Sequence, residues 1–202
     1  MSQKVNYQKI LDKFIKDLKV DVPKLLVHSC CAPCSSYVLE YLNKYFNITV
    51  LYYNPNIYPF EEYEYRKNEQ KRLISEMKFE NPVSFIDCDY DNDSFNKAVK
   101  GLEAEPEGGK RCEKCFELRL NKTAEVAKEN GFDYFVTTLS ISPLKNAETL
   151  NRIGKEVGEK YGVKYLLSDF KKNNGYKRSI ELSREYSLYR QNFCGCVYSK
   201  QK

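Results

Sequence analysis

The sequence predicts an α/β fold: a Rossmann-like, doubly wound parallel sheet of five strands, followed by a C-terminal helix and a Cys-x-Cys tail. Short apolar runs rich in β-branched and aromatic residues alternate with segments of helical periodicity. Repeated βα units need right-handed crossovers, which make neighbouring strands parallel. No repeat and no Pro/Gly-rich linker interrupts the 202 residues, so residues 1–202 are predicted to form a single domain.

Five apolar runs are predicted to be buried strands. In chain order they are KLLVHSC (24–30), ITVLYYN (48–54), VSFIDCD (83–89), DYFVTTL (133–139) and VKYLLSDF (163–170). Helices are predicted between them from three apolar stripes: Val38, Leu42, Tyr45 and Phe46; Phe116, Leu120, Ala124 and Ala127; and Leu150, Ile153, Val157 and Tyr161. Because ligands bind beyond the carboxyl ends of parallel strands, we expect the functional site in the segments that follow the strands.

Seven of the eight cysteines fall into three clusters. They are Cys30, Cys31 and Cys34; Cys112 and Cys115; and Cys194 and Cys196. Thiolates supplied by separate stretches can surround a zinc ion or an iron–sulfur cluster, and spacing alone does not separate the two. Four ligands complete a structural zinc site, so the additional thiols favour an iron–sulfur cluster over zinc. A third alternative is that the thiols bind no metal.

Local chemistry gives individual cysteines different expected roles. Cys30 and Cys31 can serve one site only if the strand breaks there, and Pro33 supplies that break as the expected first residue of a helix. Cys34 then lies in the first helical turn, where the helix dipole favours thiolate. Cys194 and Cys196 enclose one glycine, and such a pair suits a redox couple because its disulfide is strained and easily reduced.

Charge and composition point to a cytoplasmic protein that binds nucleic acid. The N-terminus lacks the apolar core of a signal peptide, and no run is long enough to span a membrane. Of the net charge of +5, residues 164–202 carry nine Lys or Arg against three Asp or Glu, interleaved with aromatic residues. Phosphates and unstacked bases are bound by surfaces of this kind, although a solvated basic helix has the same composition.

Several polar residues beside the motifs are candidate ligand-binding residues. Asn54 and Asn56 follow the second strand in a loop stiffened by Pro55, and their amides can bind a base or sugar. Three cations that lie beside the sequence motifs are candidates for binding phosphates: Arg111, Lys145 and Arg190. His28 is the only histidine, and it is either a proton donor near Cys30 or a structural strand residue.

Five ordered motifs resemble those of the cobalamin-independent epoxyqueuosine reductases, the QueH family. They are HSCCAPCS, YYNPNIYP with EYEYR, EPEGGKRCEKCFELRL, TTLSISPLKN and LYRQNFCGCVYS, and they span about residues 28–199. The resemblance implies a single epoxyqueuosine reductase-like domain with a fold like that of the adenine nucleotide alpha hydrolases. It also implies reduction of epoxyqueuosine, at the wobble position of certain tRNAs, to queuosine.

The same resemblance implies roles for six cysteines. The ligands of a [4Fe-4S] cluster would be Cys30, Cys31, Cys112 and Cys115, and the redox-active pair would be Cys194 and Cys196. Our own hypothesis is that an iron binds the epoxide oxygen, and that this iron is either part of the cluster or an additional iron held beside it through Cys34. The partners would be a tRNA anticodon loop and an external electron donor, with no role for a membrane.

Two other functions compete with this one. An ATP-using tRNA thiolation enzyme of the same fold needs a phosphate-binding loop after the first strand, where this chain has CCAPCSS without glycine. A zinc-stapled RNA-binding module would have no catalytic activity. Turnover without ATP would distinguish a reductase from the thiolation enzyme. Iron rather than zinc in the purified protein would distinguish it from the RNA-binding module.

Overall fold

The computed structural model describes residues 5–19 and 22–199 and contains one five-stranded parallel sheet in the order β3-β2-β1-β4-β5. The strands are β1 (Lys24–His28), β2 (Asn47–Tyr52), β3 (Ser84–Asp87), β4 (Tyr134–Thr137) and β5 (Lys164–Tyr165). Strand order reverses between β1 and β4, whose carboxyl ends therefore border the crevice in which ligands of such sheets bind.

The described residues form seven α-helices, of which the first precedes β1 and the others connect or follow the strands. They are α1 (Tyr7–Lys16), α2 (Ala32–Leu42), α3 (Phe60–Glu76), α4 (Asn92–Ala98), α5 (Lys110–Glu129), α6 (Ala147–Tyr161) and α7 (Gly175–Glu185). Short 3-10 segments cover Thr138–Ile141 and Val197–Ser199. None of these helices combines the length and the apolar character needed to cross a bilayer.

The core has two layers because the side chains of β1 alternate between the two faces of the sheet. Leu25 and Val27 pack with α1 and α2, whereas Leu26 packs on the opposite face with α5 and α6. Helices thus cover both faces, and the predicted doubly wound parallel architecture is confirmed.

Each strand is shorter than the apolar run that predicted it, and helix boundaries differ as well. β5 has two residues rather than eight, because after Leu166 donates its N–H to Phe135 the chain leaves the sheet edge. α2 begins at Ala32, so that Pro33 is its second residue, where a missing N–H costs no helical hydrogen bond. Tyr45 belongs to no helix and is exposed.

The two-layer core makes a specific prediction for stability. Replacing Leu26 by Ala should lower the free energy of unfolding by about 2–5 kcal/mol, because a fully buried side chain is lost and a cavity is left. Denaturant unfolding measures this change. Val5→Ala removes methyl groups from a 54% exposed side chain and is the control, expected within about 0.5 kcal/mol of the parent. Equal losses for both variants would contradict the packing described.

Candidate active site

Three thiols meet where β1 turns into α2. The strand ends at His28 and Cys31 is the N-cap residue of α2, so Cys30 and Cys31 lie in a turn rather than on opposite faces of a strand. Their Sγ atoms are 3.9 Å apart. With Cys34 they form a group whose three sulfur atoms all lie within 4.8 Å of one another, the one such Cys/His/Asp/Glu group in the described part of the chain.

Buried polar side chains hold this turn in place. Oε1 of Gln70, on α3, accepts hydrogen bonds from the Ser29 hydroxyl at 2.7 Å and from the Ser35 hydroxyl at 2.6 Å. Asn54 donates from Nδ2 to the Ser29 carbonyl at 2.9 Å. All four side chains are fully buried, and leaving such groups unpaired is costly, so the turn has little freedom.

One thiol of the group is set apart electrostatically. Hydrogen bonds from Cys31 and Cys34 hold the pKa of Cys30 well below its usual value, and the charge of Arg119 lowers it further. The hydrogen bond to Cys30, together with burial, raises the pKa of Cys31 to about 12 and also raises that of Cys34. The lowered pKa expected for Cys34 from the helix dipole is therefore wrong, because its hydrogen bonds to Cys30 and Cys31, together with burial, raise that pKa.

A second pair of thiols projects from the first turns of α5. Gly108 donates its N–H to Cys112 Sγ at 3.2 Å, and Arg119 donates to Cys115 Sγ at 3.9 Å. Burial raises the pKa of Cys115 to about 12. Cys112, Cys115 and Arg119 share a helix face, since they are separated by three and four residues.

The C-terminal tail brings the last two cysteines to the same region. Arg66 donates to the Cys194 carbonyl at 3.3 Å, and the Gly195 carbonyl accepts the N–H of Tyr58 at 3.0 Å. Gly195 has φ of +103°, and a Cβ there would lie 2.9 Å from Ile57 Cγ1. Cys194 is half-buried and Cys196 is buried, and all eight cysteines are free thiols.

Two adjoining cavities connect these groups. The larger, here called the thiol cavity, has a volume of about 410 Å³; among its lining residues are Cys30, Cys31, Cys34, Arg119, Lys145, Arg190 and Cys194. The smaller, the tail cavity, has a volume of about 20 Å³; among its lining residues are Cys112, Cys115, Cys194, Cys196, Arg111, Glu107 and Lys145. Cys194, Glu107 and Lys145 line both cavities, so the three cysteine motifs belong to one continuous site.

A larger cavity of about 500 Å³ lies elsewhere, between α1, α6 and β5. Its lining is mostly apolar, with the charged side chains of Lys155, Glu159 and Lys164 and no cysteine. We therefore assign the chemistry to the thiol cavity.

The three candidate phosphate-binding cations differ in the contacts that they already make within the protein. Lys145 is buried and pairs with Glu107 at 2.8 Å; burial alone would lower the pKa of Lys145, but Cys194 and Glu107 raise it. Arg190 lines the thiol cavity and donates to the Ser183 hydroxyl at 3.1 Å. Arg111 is buried and donates to the carbonyls of residues 102, 103 and 105, which directs its guanidinium to its own loop.

The two candidate amides are both buried. Asn54 accepts a short hydrogen bond from Arg119 and holds the turn at Ser29, so in the structure it is a structural residue of the site. Oδ1 of Asn56 is buried without a hydrogen-bond partner among the described residues. A ligand-binding role stays a prediction for both amides and for the three cations.

His28 is fully buried and belongs to the same network. Its Nε2 lies 3.2 Å from Nε of Arg119 and its Nδ1 lies 2.8 Å from the Thr137 hydroxyl. Nε2 accepts from this guanidinium and also lies 3.1 Å from the Tyr53 carbonyl oxygen. Burial, then the charge of Arg119, lowers the pKa of His28 to about 3, so the ring is neutral near pH 7.

The sequence analysis missed Arg119 and Gln70. Both lie on helix faces that pack against the turn after β1, and both are at most 2% exposed. A signal for Arg119 was present, because it lies four residues after Cys115 beside the apolar stripe that starts at Phe116. A charged side chain on a predicted buried face indicates a partner inside the protein.

The family model described as epoxyqueuosine reductase QueH matches residues 25–202 of this chain. A relative of that name from Streptococcus pyogenes serotype M1 is 48% identical over 202 residues, covering 98% of this chain and 79% of the relative. One from Staphylococcus epidermidis is 46% identical over 207 residues, covering 100% and 87%. One from Thermotoga maritima is 37% identical over 181 residues, covering 87% and 89%.

Among solved structures, the chain resembles the U34-tRNA thiolase NcsA from Methanococcus maripaludis with its [4Fe-4S] cluster. The TM-score is 0.56 at 14% sequence identity, and the similarity covers 98% of this chain and 74% of the thiolase. At this identity the likeness shows the fold, and it confirms the adenine nucleotide alpha hydrolase-like architecture expected from the sequence.

The three-thiol group should bind a thiophilic divalent metal. Cobalt added to the reduced, metal-free protein should give thiolate-to-metal charge-transfer absorption, because sulfur ligands favour such ions. Cys30→Ala and Cys31→Ala should each weaken binding by more than about 100-fold, beyond the loss typical of outer-shell changes. Cys88→Ala, at a half-buried cysteine outside the three clusters, is the matched control. Equal affinity in the Cys30 and Cys88 variants would contradict this assignment.

Proposed function

The chain belongs to the epoxyqueuosine reductase QueH family and is an oxidoreductase; we propose that it reduces the epoxide of epoxyqueuosine in tRNA to the cyclopentene of queuosine. The single observation that supports this chemistry most is the convergence of the Cys30, Cys31 and Cys34 thiols on a cavity that Cys194 also lines. Converging thiols are the donor set expected of a redox metal centre rather than of a hydrolytic site.

We propose that the cofactor is a [4Fe-4S] cluster bound by Cys30, Cys31, Cys112 and Cys115. The residues fit such a group, because all four proposed ligand atoms are sulfur. Hydrogen-bond donors from the backbone and from side chains lie close to three of these sulfur atoms. Those donors are Thr138 at 3.4 Å from Cys30, Gly108 at 3.2 Å from Cys112 and Arg119 at 3.9 Å from Cys115. When bound, the cluster would supply single electrons, and an additional iron held through Cys34 would supply a Lewis acid for the epoxide oxygen.

The dithiol of Cys194 and Cys196 would supply the electrons and protons that the reaction consumes. Converting an epoxide to an alkene and water takes two electrons and two protons. Oxidation of two thiols to one disulfide releases the same number of each, and a low-potential external donor then reduces the disulfide. Cys194 lines the thiol cavity and Cys196 lies behind it in the tail cavity, which supports direct access for one thiol and a resolving role for the other.

The thiol cavity is large enough to receive an unstacked base. Its volume of about 410 Å³ lies within the usual range for small-ligand sites. Leu144 and Tyr176 line it with exposed side chains, and an aromatic face beside the opening suits stacking on the base. The ion pair of buried Lys145 with exposed Glu107, which lines the same cavity, can hold and move a proton near the reacting oxygen.

The anticodon loop would lie along the basic C-terminal segment. Lys172 and Lys177 flank Tyr176, both are exposed, and neither has a carboxylate within 4.0 Å among the described residues. Arg178 and Lys171 already pair with acidic groups, Glu40 and Asp169. The terminal lysines at 200 and 202 lie outside the described residues. A cytoplasmic location stays a prediction.

Single-turnover chemistry tests the role of the dithiol. Under nitrogen and without an added reductant, reduced protein should convert about one epoxyqueuosine per chain and form a Cys194–Cys196 disulfide, because one dithiol carries two electrons. Nucleoside mass spectrometry measures the product, and peptide mapping identifies the disulfide. Neither ATP nor an ATP analogue should change the yield, which separates this reaction from thiolation.

The matched variants are Cys194→Ala, Cys196→Ala and Cys88→Ala. The first two should retain iron and sulfide but give no product, and the third should equal the parent. Product formation by either tail variant at the parent yield would show that the dithiol is not the electron source.

Salt dependence tests the proposed tRNA contacts. The logarithm of the association constant for tRNA should fall linearly with the logarithm of salt concentration, because bound phosphates release counterions. The double variant K172A/K177A should make that slope shallower by roughly one to two, about one for each lost contact. Lys155→Ala removes an exposed lysine far from the thiol cavity and should leave the slope unchanged. A slope that only the Lys155 variant alters would contradict the assignment.

A further inference from the structure

Arg119 is a buried cation whose direct contacts carry no carboxylate. It is 2% exposed, and its guanidinium donates to the imidazole of His28, the amide of Asn54 and the thiol of Cys115. Other arginines of the described chain, such as Arg72, form ion pairs with glutamate.

Burying a charge without a counter-charge is strongly unfavourable. Three thiols near Arg119 can carry negative charge: Cys115 at 3.9 Å and, around the thiol cavity that Arg119 also lines, Cys30 and Cys194. The carboxylate that lines this cavity, Glu107, pairs with Lys145. The site therefore places a guanidinium that has no carboxylate partner among sulfur atoms that can carry negative charge.

The guanidinium is held rigidly in that position. His28 and Asn54 occupy two of its donor directions, and each is itself fixed, His28 by Thr137 and Asn54 by the Ser29 carbonyl. Ser29 belongs to the turn that carries Cys30 and Cys31, so one network joins Arg119 to both cysteine motifs.

We propose that Arg119 is a positioning residue that offsets the negative charge of the thiolates and raises the reduction potential of the metal centre they bind. This inference rests on the iron–sulfur centre proposed above. One-electron reduction by an external donor breaks no bond and adds one negative charge to the centre. A fixed cation beside the sulfur ligands stabilises the reduced form more than the oxidised form, because the reduced form is more negative.

The functional consequence concerns which donors can reduce the protein. Without the charge of Arg119, the centre would need a more strongly reducing donor to accept the same electron. The arginine thus matches the centre to its donor while leaving the ligands unchanged.

The test compares Arg119→Gln, Arg119→Lys and Arg72→Gln, all prepared under nitrogen. Potentiometric titration followed by electron paramagnetic resonance measures the midpoint potential, and iron and sulfide analysis measures loading. We expect a more negative potential in the glutamine variant, and a potential near that of the parent in the lysine variant, which keeps the charge. Arg72→Gln removes an ion-paired arginine that contacts no cysteine and should leave the potential unchanged.

Each outcome decides the proposal. If Arg119→Gln does not assemble the centre while Arg119→Lys does, with equal thermal stability of the metal-free proteins, the charge is needed to gather the thiolates and the proposal holds. An unchanged potential in Arg119→Gln, or equal defects in the glutamine and lysine variants, overturns it while leaving the proposed function intact. Parent protein free of iron and sulfide would overturn both.

Discussion

The site depends on one tight turn, in which the chain leaves β1 at His28 and enters α2 at Ala32. A single side-chain oxygen, Oε1 of Gln70, accepts hydrogen bonds from serines on both sides of this turn. Asn54 ties the same turn to the loop that follows β2. Because these hydrogen bonds are buried, they hold the three thiols of the first motif in one small volume, and the remaining parts of the site are arranged around them.

The rest of the site is contributed by segments far apart in sequence. α5 presents Cys112, Cys115 and Arg119 on one face, and the C-terminal tail is fixed by Arg66 and the backbone of Tyr58. Glu107 and Lys145 form an ion pair where the two cavities adjoin. The switch point between β1 and β4 gives this assembly its place, since these strand ends open towards the same crevice.

Sequence periodicity predicted the sheet well because strands buried on both faces are almost continuously apolar. The side chains of Leu25, Leu26 and Val27 are inaccessible to solvent, and no other local structure suits such a run between turns. Clustering of cysteines predicted which segments form the site, and the break after β1 followed from Pro33. The charge balance within the site was not predictable, because it depends on tertiary contacts. Cys34 does not gain the low pKa expected from its helix position, since it donates its proton to Cys30 instead.

Gly195 illustrates how strictly the tail is specified. Its left-handed backbone would strain any other residue, and the space beside its Cα is filled by Ile57 and Arg66. A smaller residue at position 57 would free space beside the Cα of Gly195, but the positive φ would still strain any other residue, so the path of the tail is tied to glycine at this one position.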